Sequence, residues 1–250
     1  SLQGFGVTGD MAYNCTQSVI DTLRSKIGTQ KPKAQFLTDD GLWSQRERAR
    51  LLERFVDGVR HQQKVYQKGQ EVFLYAAIWG TGSMKVVDID GEIICEPIRP
   101  TNLLVDERAC VFSPPREKYH TIPMPVETLV AQYPKFEDDI RRIAASSVGG
   151  VFRHGSKYVE DVIEVVEGWH LPSGKKAKDG KRIIAIPDMV LALEPWDEAY
   201  FPIVDFHWSK LPFGFYGQGV VEQGQTMQVE INKIASRIQE AAHMFANTQI

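Results

Sequence analysis

Three groups of residues in this sequence are of types that do chemistry. The first is the run AAIWGTGSMKVV at residues 76–87, where two glycines flank a threonine and a serine and a lysine follow. Those are the residue types of a phosphate-binding loop. The second is a set of carboxylates, Asp88, Asp90, Glu92 and Asp106, which could hold a divalent metal for phosphodiester cleavage if they converged. The third is Lys175, Lys176, Lys178 and Lys181 within PSGKKAKDGK, which could contact nucleic-acid phosphates.

The surrounding sequence argues against catalysis at each of them. A P-loop runs strand, glycine-rich loop, helix, with the spacing G-x-x-x-x-G-K-[ST], so that a helix N-terminus faces the phosphates. Here GQEVFLYAAIW precedes the glycines and carries Val72, Phe73, Ala76, Ala77 and Trp79 on one side of a helix. SMKVVDIDGEIICEPI follows and is rich in strand formers, so the order is reversed. Gly80 then reads as the glycine just past a helix C-terminus, Gly82 as slack before a strand, and Lys85 as a strand residue. Asp90-Gly91 between two strands is a hairpin signal, because both turn residues need positive φ. Asp88, Asp90 and Glu92 are then the solvated edge of that hairpin. The lysines fall between two long predicted strands, YVEDVIEVVEGWHL and RIIAIPDMVLAL, and read as an exposed hairpin tip.

Cys15, Cys95 and Cys110 are far apart and show no C-x-x-C spacing, so they read as free thiols. The six histidines are scattered, and no two share a helix face with a carboxylate at ligand spacing. Neither a metal nor an organic cofactor is expected. The chain is 43% hydrophobic, enough to bury a core in one or two domains. Its net charge of −3 is not that of a protein that grips nucleic acid by bulk charge. No apolar run reaches the roughly 20 residues that span a bilayer. Ser1 opens the sequence instead of Met, and we expect it to mark the edge of a fragment.

The elements that must position these residues read as α+β, with β-hairpins and one long final helix. Residues 11–27 carry Thr16, Ile20, Leu23 and Ile27 at helical period, with Gly28 as the stop. AQFLT (34–38) reads as a short strand. Residues 38–79 form a long helical region that Thr38, Asp39 or Asp40 could cap, with an apolar stripe of Leu51, Leu52, Phe55 and Val59. Arg46, Glu47, Arg48 and Arg50 read as a solvated face, and Gly58 and Gly69 as points of kinking or breakage. NLLVD and FPIVDFHWSKLP read as strands, Pro114-Pro115 as a loop, MPVETLVAQYP and FEDDIRRIAAS as helices, and 146–157 as a Gly/Ser-rich connection.

Residues 218–246 are predicted to form a single helix. Val220, Gly224, Met227, Ile231, Ile234, Ile238, Ala241 and Phe245 recur in steps of four and three, a heptad seam. Glu230, Lys233, Arg237 and Glu240 form a charged face of opposite signs at helical neighbour spacing. Glu222, Gln225, Asn232, Ser236, Gln239 and His243 form a polar, mostly uncharged third face. Such a helix is either a long core helix or a strut that packs against copies of itself.

Taken in order, NCTQSVIDTLRSKIGTQKPKAQFLT, AAIWGTGSMKVV, IRPTNLLVDE and FPIVDFHWSKLPFGFYGQGVVEQGQTMQVEINKI resemble the tailed-bacteriophage portal proteins, over nearly the whole chain. The resemblance implies a head-tail connector: a ring, typically of twelve subunits, through which double-stranded DNA enters and leaves the capsid. It implies that residues 1–212 are the wing, that 213–250 hold the first stem helix leading into a clip, and that the second stem helix, tunnel loop and crown lie outside a truncated chain. The stem helix would project from the wing. Met227, Ile231, Ile234, Ile238 and Phe245 would then be the inter-subunit seam. Glu230, Lys233, Arg237 and Glu240 would pair between subunits or face the channel, and Lys175, Lys176 and Lys178 would be wing-loop contacts. Implied partners are further copies, DNA, the terminase packaging motor, the capsid protein and a tail adaptor, with no membrane. Implied locations are the virion and, during assembly, the host cytoplasm. The protein would not be an enzyme. The competing expectation is a nucleic-acid-processing enzyme, a nucleotide hydrolase or metal-dependent nuclease with a basic binding loop.

Overall fold

A computed structural model describes residues 13–38, 41–89, 91–146, 153–154, 157–158, 162–174 and 177–247. The chain is a mixture of helices and antiparallel strands that ends in one long helix. The first half runs α1 (Cys15–Gly28), α2 (Trp43–Gln62), α3 (Val65–Trp79), β1 (Thr81–Ile89), β2 (Glu92–Ile98), β3 (Leu103–Leu104), β4 (Glu117–Pro125), α4 (Val126–Gln132) and α5 (Glu137–Ser146). The second runs β5 (Arg153–His154), β6 (Lys157–Tyr158), β7 (Val162–His170), β8 (Lys181–Ile186), β9 (Met189–Pro195), β10 (Ile203–His207), β11 (Ser209–Lys210), β12 (Gly217–Gln218) and α6 (Val220–Asn247). Two compact units result. One gathers α1, α2, α3 and α6 with Phe206–Lys210 and the chain from Gly217; the other holds Ser83–Asp205 and Leu211–Tyr216.

In the helical unit, α3 buries Val72, Phe73, Ala76 and Ala77, four of the five residues its apolar spacing places on that side; the fifth, Trp79, is 51% exposed. Phe73 meets the ring of Phe206 at 6.0 Å in a tilted contact and that of Trp208 at 5.6 Å edge-on, contacts that add to the area buried. Gly80 ends α3 at φ +86° and its N–H bonds to the Ala76 carbonyl, the left-handed cap expected of it. Gly82 is not slack. It lies inside β1 without positive φ, and a Cβ there would run into the Val72 carbonyl oxygen. Thr81 accepts a hydrogen bond from the Gly217 N–H at 2.8 Å and pairs with His207 Nδ1 at 3.0 Å.

The long helical region breaks at neither predicted glycine. Gly58 and Gly69 both lie within helices, and the chain turns at Lys64, which adopts φ +52° between α2 and α3. Nor does Thr38 cap α2: its N-cap is Leu42, which makes no side-chain hydrogen bond. Asp39 and Asp40 lie outside the described residues. AQFLT forms no strand; Leu37 is 91% exposed, and the Phe36 N–H is bonded to Glu53.

In the other unit, β3-β4-β7-β8-β9 form a five-stranded antiparallel sheet, and β1 pairs with β2 from Ser83↔Ile98 to Ile89↔Glu92. That register leaves two turn residues. Gly91 has φ +84° as expected; Asp90 lies outside the described residues. RIIAIPDMVLAL is not one strand but two, β8 and β9, turning at Pro187-Asp188, where Asp188 takes φ +63°. NLLVD contributes only the two residues of β3. The predicted FPIVDFHWSKLP strand divides into β10 and β11. Helices α4 and α5 close over one end of the sheet with Val126, Leu129, Ile140, Ile163, Val165, Ile186 and Leu191. Most of the 146–157 connection lies outside the described residues.

Candidate functional site

Helix α6 is 28 residues long, about 42 Å at 1.5 Å per residue. Its apolar seam is largely uncovered: Met227 is 71%, Ile234 54%, Ile238 65% and Phe245 76% exposed. Ile231 is half-buried. Beside the seam, Glu230 and Lys233 pair at 2.8 Å in solvent, and the Lys233 hydrogen bond and charge hold the Glu230 carboxyl below its ordinary range. Arg237 and Glu240 are exposed. The predicted charged face is therefore solvated, with one of its pairs made within the helix.

The uncharged face is only partly a solvent face. Gln228 accepts hydrogen bonds from the backbone N–H groups of Cys15 at 3.0 Å and Thr16 at 3.2 Å, and donates to the Tyr13 carbonyl. Asn232 accepts from the Tyr13 N–H at 3.1 Å. The first N–H groups of a helix have no partner within it, and here α6 supplies one to α1, alongside the Asn14 side chain that accepts from Gln17 N–H. Sequence reading missed Gln228 because nothing local marks a cap that arrives from more than 200 residues away. Gln228→Leu should destabilise the helical unit by about 1–2 kcal/mol. Hydrogen exchange at the first turn of α1 would show it, and an unchanged protection there would refute the capping role.

The sheet unit carries a cluster of buried ions. On β7, Ile163, Val165, Glu167 and Trp169 alternate onto one buried face. Glu167 pairs with Lys85 of β1 and accepts from Arg182 Nε of β8 at 3.0 Å; Arg182 also reaches Glu194 at 3.1 Å. Lys118 of β4 pairs with Asp205 of β10, over the rings of Phe201 at 4.8 Å and Phe215 at 5.3 Å, and Ser83 donates to the same carboxylate at 2.8 Å. Burial raises the Glu167 carboxyl, but the charges and hydrogen bonds of Lys85 and Arg182 bring it below its usual value. His120, cross-strand from Glu167, is lowered to about 4 by burial and by the Lys85 charge, with Glu167 opposing. Each cation here already has its carboxylate. Lys85, the only lysine of the GTGSMK run, is committed to the core and is not presented to a ligand.

The remaining predicted residues do not come together. Asp88 accepts from the Gly91 N–H within its own hairpin at 2.9 Å, and Asp106 accepts from Arg108 N–H at 3.0 Å in its own turn. Among the described residues no three His, Cys, Asp or Glu side chains gather as metal ligands. Lys178 is exposed, and Lys175 and Lys176 lie outside the described residues. The described part of that loop is stapled by hydrogen bonds from Ser173 to Asp179. Its last residue, Gly180, is buried against the Trp196 carbonyl, so the loop is not exposed throughout. Cys15, Cys95 and Cys110 form no disulfide among the described residues; burial and the nearby Asp106 and Glu107 raise the thiol pKa of Cys110. No helix among the described residues is long and apolar enough to cross a membrane. No protein-family model matches the chain, and no curated protein matches it.

Proposed function

We propose that the chain is a structural subunit of a phage portal ring, the conduit through which double-stranded DNA passes at a capsid vertex during packaging and ejection. The observation that carries the reading is the uncovered seam of α6. Four large apolar side chains of the seam lie more than half exposed along one 28-residue helix, and exposed patches of that kind usually mark interfaces. The order of sequence segments shared with portal proteins supports the same reading. So does the net charge of −3, since a conduit that held phosphates tightly would brake the DNA. On this reading the protein performs no catalysis, works in the virion and the host cytoplasm, and meets the terminase motor, capsid protein and tail adaptor.

The test is assembly. The full-length chain is expected to form rings visible by electron microscopy, and Ile234→Asp to abolish them while leaving thermal melting within a few degrees. A charge in the seam would have to be desolvated on docking, whereas on the free chain residue 234 stays in water. Normal rings from Ile234→Asp would sink the seam as an interface and the stem assignment with it.

A further inference from the structure

A second helix of the helical unit carries an uncovered apolar stripe. Leu51 is 55%, Leu52 42% and Phe55 58% exposed on one side of α2, a helix with no fully buried residue; Trp43, 79% exposed, lies further round the same helix. Arg48 lies on that side of α2 and Arg46, Arg50 and Arg54 on the other, all four exposed. We propose that the α2 stripe is the docking surface for the α6 seam of a second copy of this chain, so that each subunit offers α6 to one neighbour and α2 to the other. The proposal rests on the ring reading above and names the surfaces that close the ring.

Three observations select this occupant. The first is charge. Helix α2 has five arginines against three carboxylates and is cationic, whereas α6 has three glutamates against two basic residues and is anionic. Pairing α2 with α2 would set arginines against arginines, and like charges disfavour a contact where opposite charges promote it. The second is apolar character. Leu51, Leu52 and Phe55 on one helix and Met227, Ile234, Ile238 and Phe245 on the other are large and exposed, and exposed patches of that kind usually mark interfaces. The third is coverage. Pairing α6 with α6, or α2 with α2, would cover only one of the two stripes. Pairing α6 of one copy with α2 of the next covers both on every copy, and repeated head to tail it closes into a ring when its rotation allows.

Mixing variants separates these arrangements. Phe55→Asp spoils α2 and Ile238→Asp spoils α6; both side chains are exposed, so circular dichroism and thermal melting should match the parent chain. Each variant alone should be monomeric by light scattering. An equimolar mixture should form a species of two chains and nothing larger, because one good α2 and one good α6 remain between them. Leu51→Asp with Met227→Asp should repeat the result. If Phe55→Asp and Leu51→Asp assemble like the parent chain, the α2 surface is not used and this inference fails while the ring reading stands. A mixture that stays monomeric also overturns it, since the two stripes then do not meet. If the parent chain itself remains monomeric at high concentration, the ring reading fails and this inference fails with it.

Discussion

Glu167→Ala should destabilise the sheet unit by about 3–5 kcal/mol, the range for removing one partner of a buried ion pair. The side chains of Lys85 and Glu167 are 9% and 5% exposed. Truncating the acid leaves the Lys85 ammonium buried without its counter-charge, while Arg182 keeps Glu194 at the unit's edge. The cost therefore comes from the stranded lysine more than from a lost attraction. The double variant Lys85→Met with Glu167→Leu removes both charges and keeps volume, and should recover most of the loss, since well-packed apolar replacements of buried pairs are often neutral. Acid should act in the same direction as Glu167→Ala. His120 has its folded pKa lowered to about 4 from 6.5, so the unfolded chain binds its proton first. Its contribution is complete above about pH 6.5 and lost as pH falls towards 4, at most about 3 kcal/mol for such a shift. The lowered Glu167 carboxyl adds a further loss at lower pH. Urea midpoints from pH 7.5 to 4 should fall in the parent and fall less in His120→Phe. Equal slopes would show that His120 does not titrate as a buried neutral group.

How much of this was legible in the sequence follows from how local each cause is. The Gly80 cap and the α6 stripe depend on residues within a few turns of each other, and both could be read directly. A strand needs a partner, and AQFLT finds none among the described residues, so its β-formers led to the wrong element. The break between α2 and α3 falls at Lys64 because the chain must turn there; Gly58 and Gly69 have no tertiary neighbour that demands a glycine. The turn at Pro187-Asp188 was written in the sequence, as proline and aspartate are turn residues, but the apolar run around it masked the signal. The buried ions were half legible. Glu167 shares its parity with Ile163, Val165 and Trp169, which places an acid on the core face of β7. That it is met by Lys85, 82 residues away, is a matter of tertiary packing that spacing does not carry. Lys85 of the GTGSMK run is thereby spent on a core ion pair, its side chain 9% exposed.

Gly80→Ala and Gly82→Ala should each lower stability sharply without touching any nucleotide chemistry. At Gly80 two penalties add. The left-handed φ of +86° strains any residue with a Cβ by about 1–2 kcal/mol, and that Cβ would collide with the backbone carbonyl of Gly217, which cannot rotate aside as a side chain could. A total of about 3–4 kcal/mol is expected, with overpacking supplying the larger part. At Gly82 only the steric penalty applies: a Cβ would meet the Val72 carbonyl and lie 3.1 Å from the Ala76 nitrogen, forcing β1 away from α3 at a cost of about 2–3 kcal/mol. The two glycines thus share one cause, the close approach of backbone to backbone where a helix gives way to a strand. If they formed a phosphate cradle instead, the parent chain would bind ATP saturably, and Lys85→Met would abolish that binding while the protein stayed folded. Denaturant midpoints for the alanine variants, set beside an ATP titration of the parent and Lys85→Met, decide between the two. Unchanged midpoints together with saturable, lysine-dependent ATP binding would restore the nucleotide site.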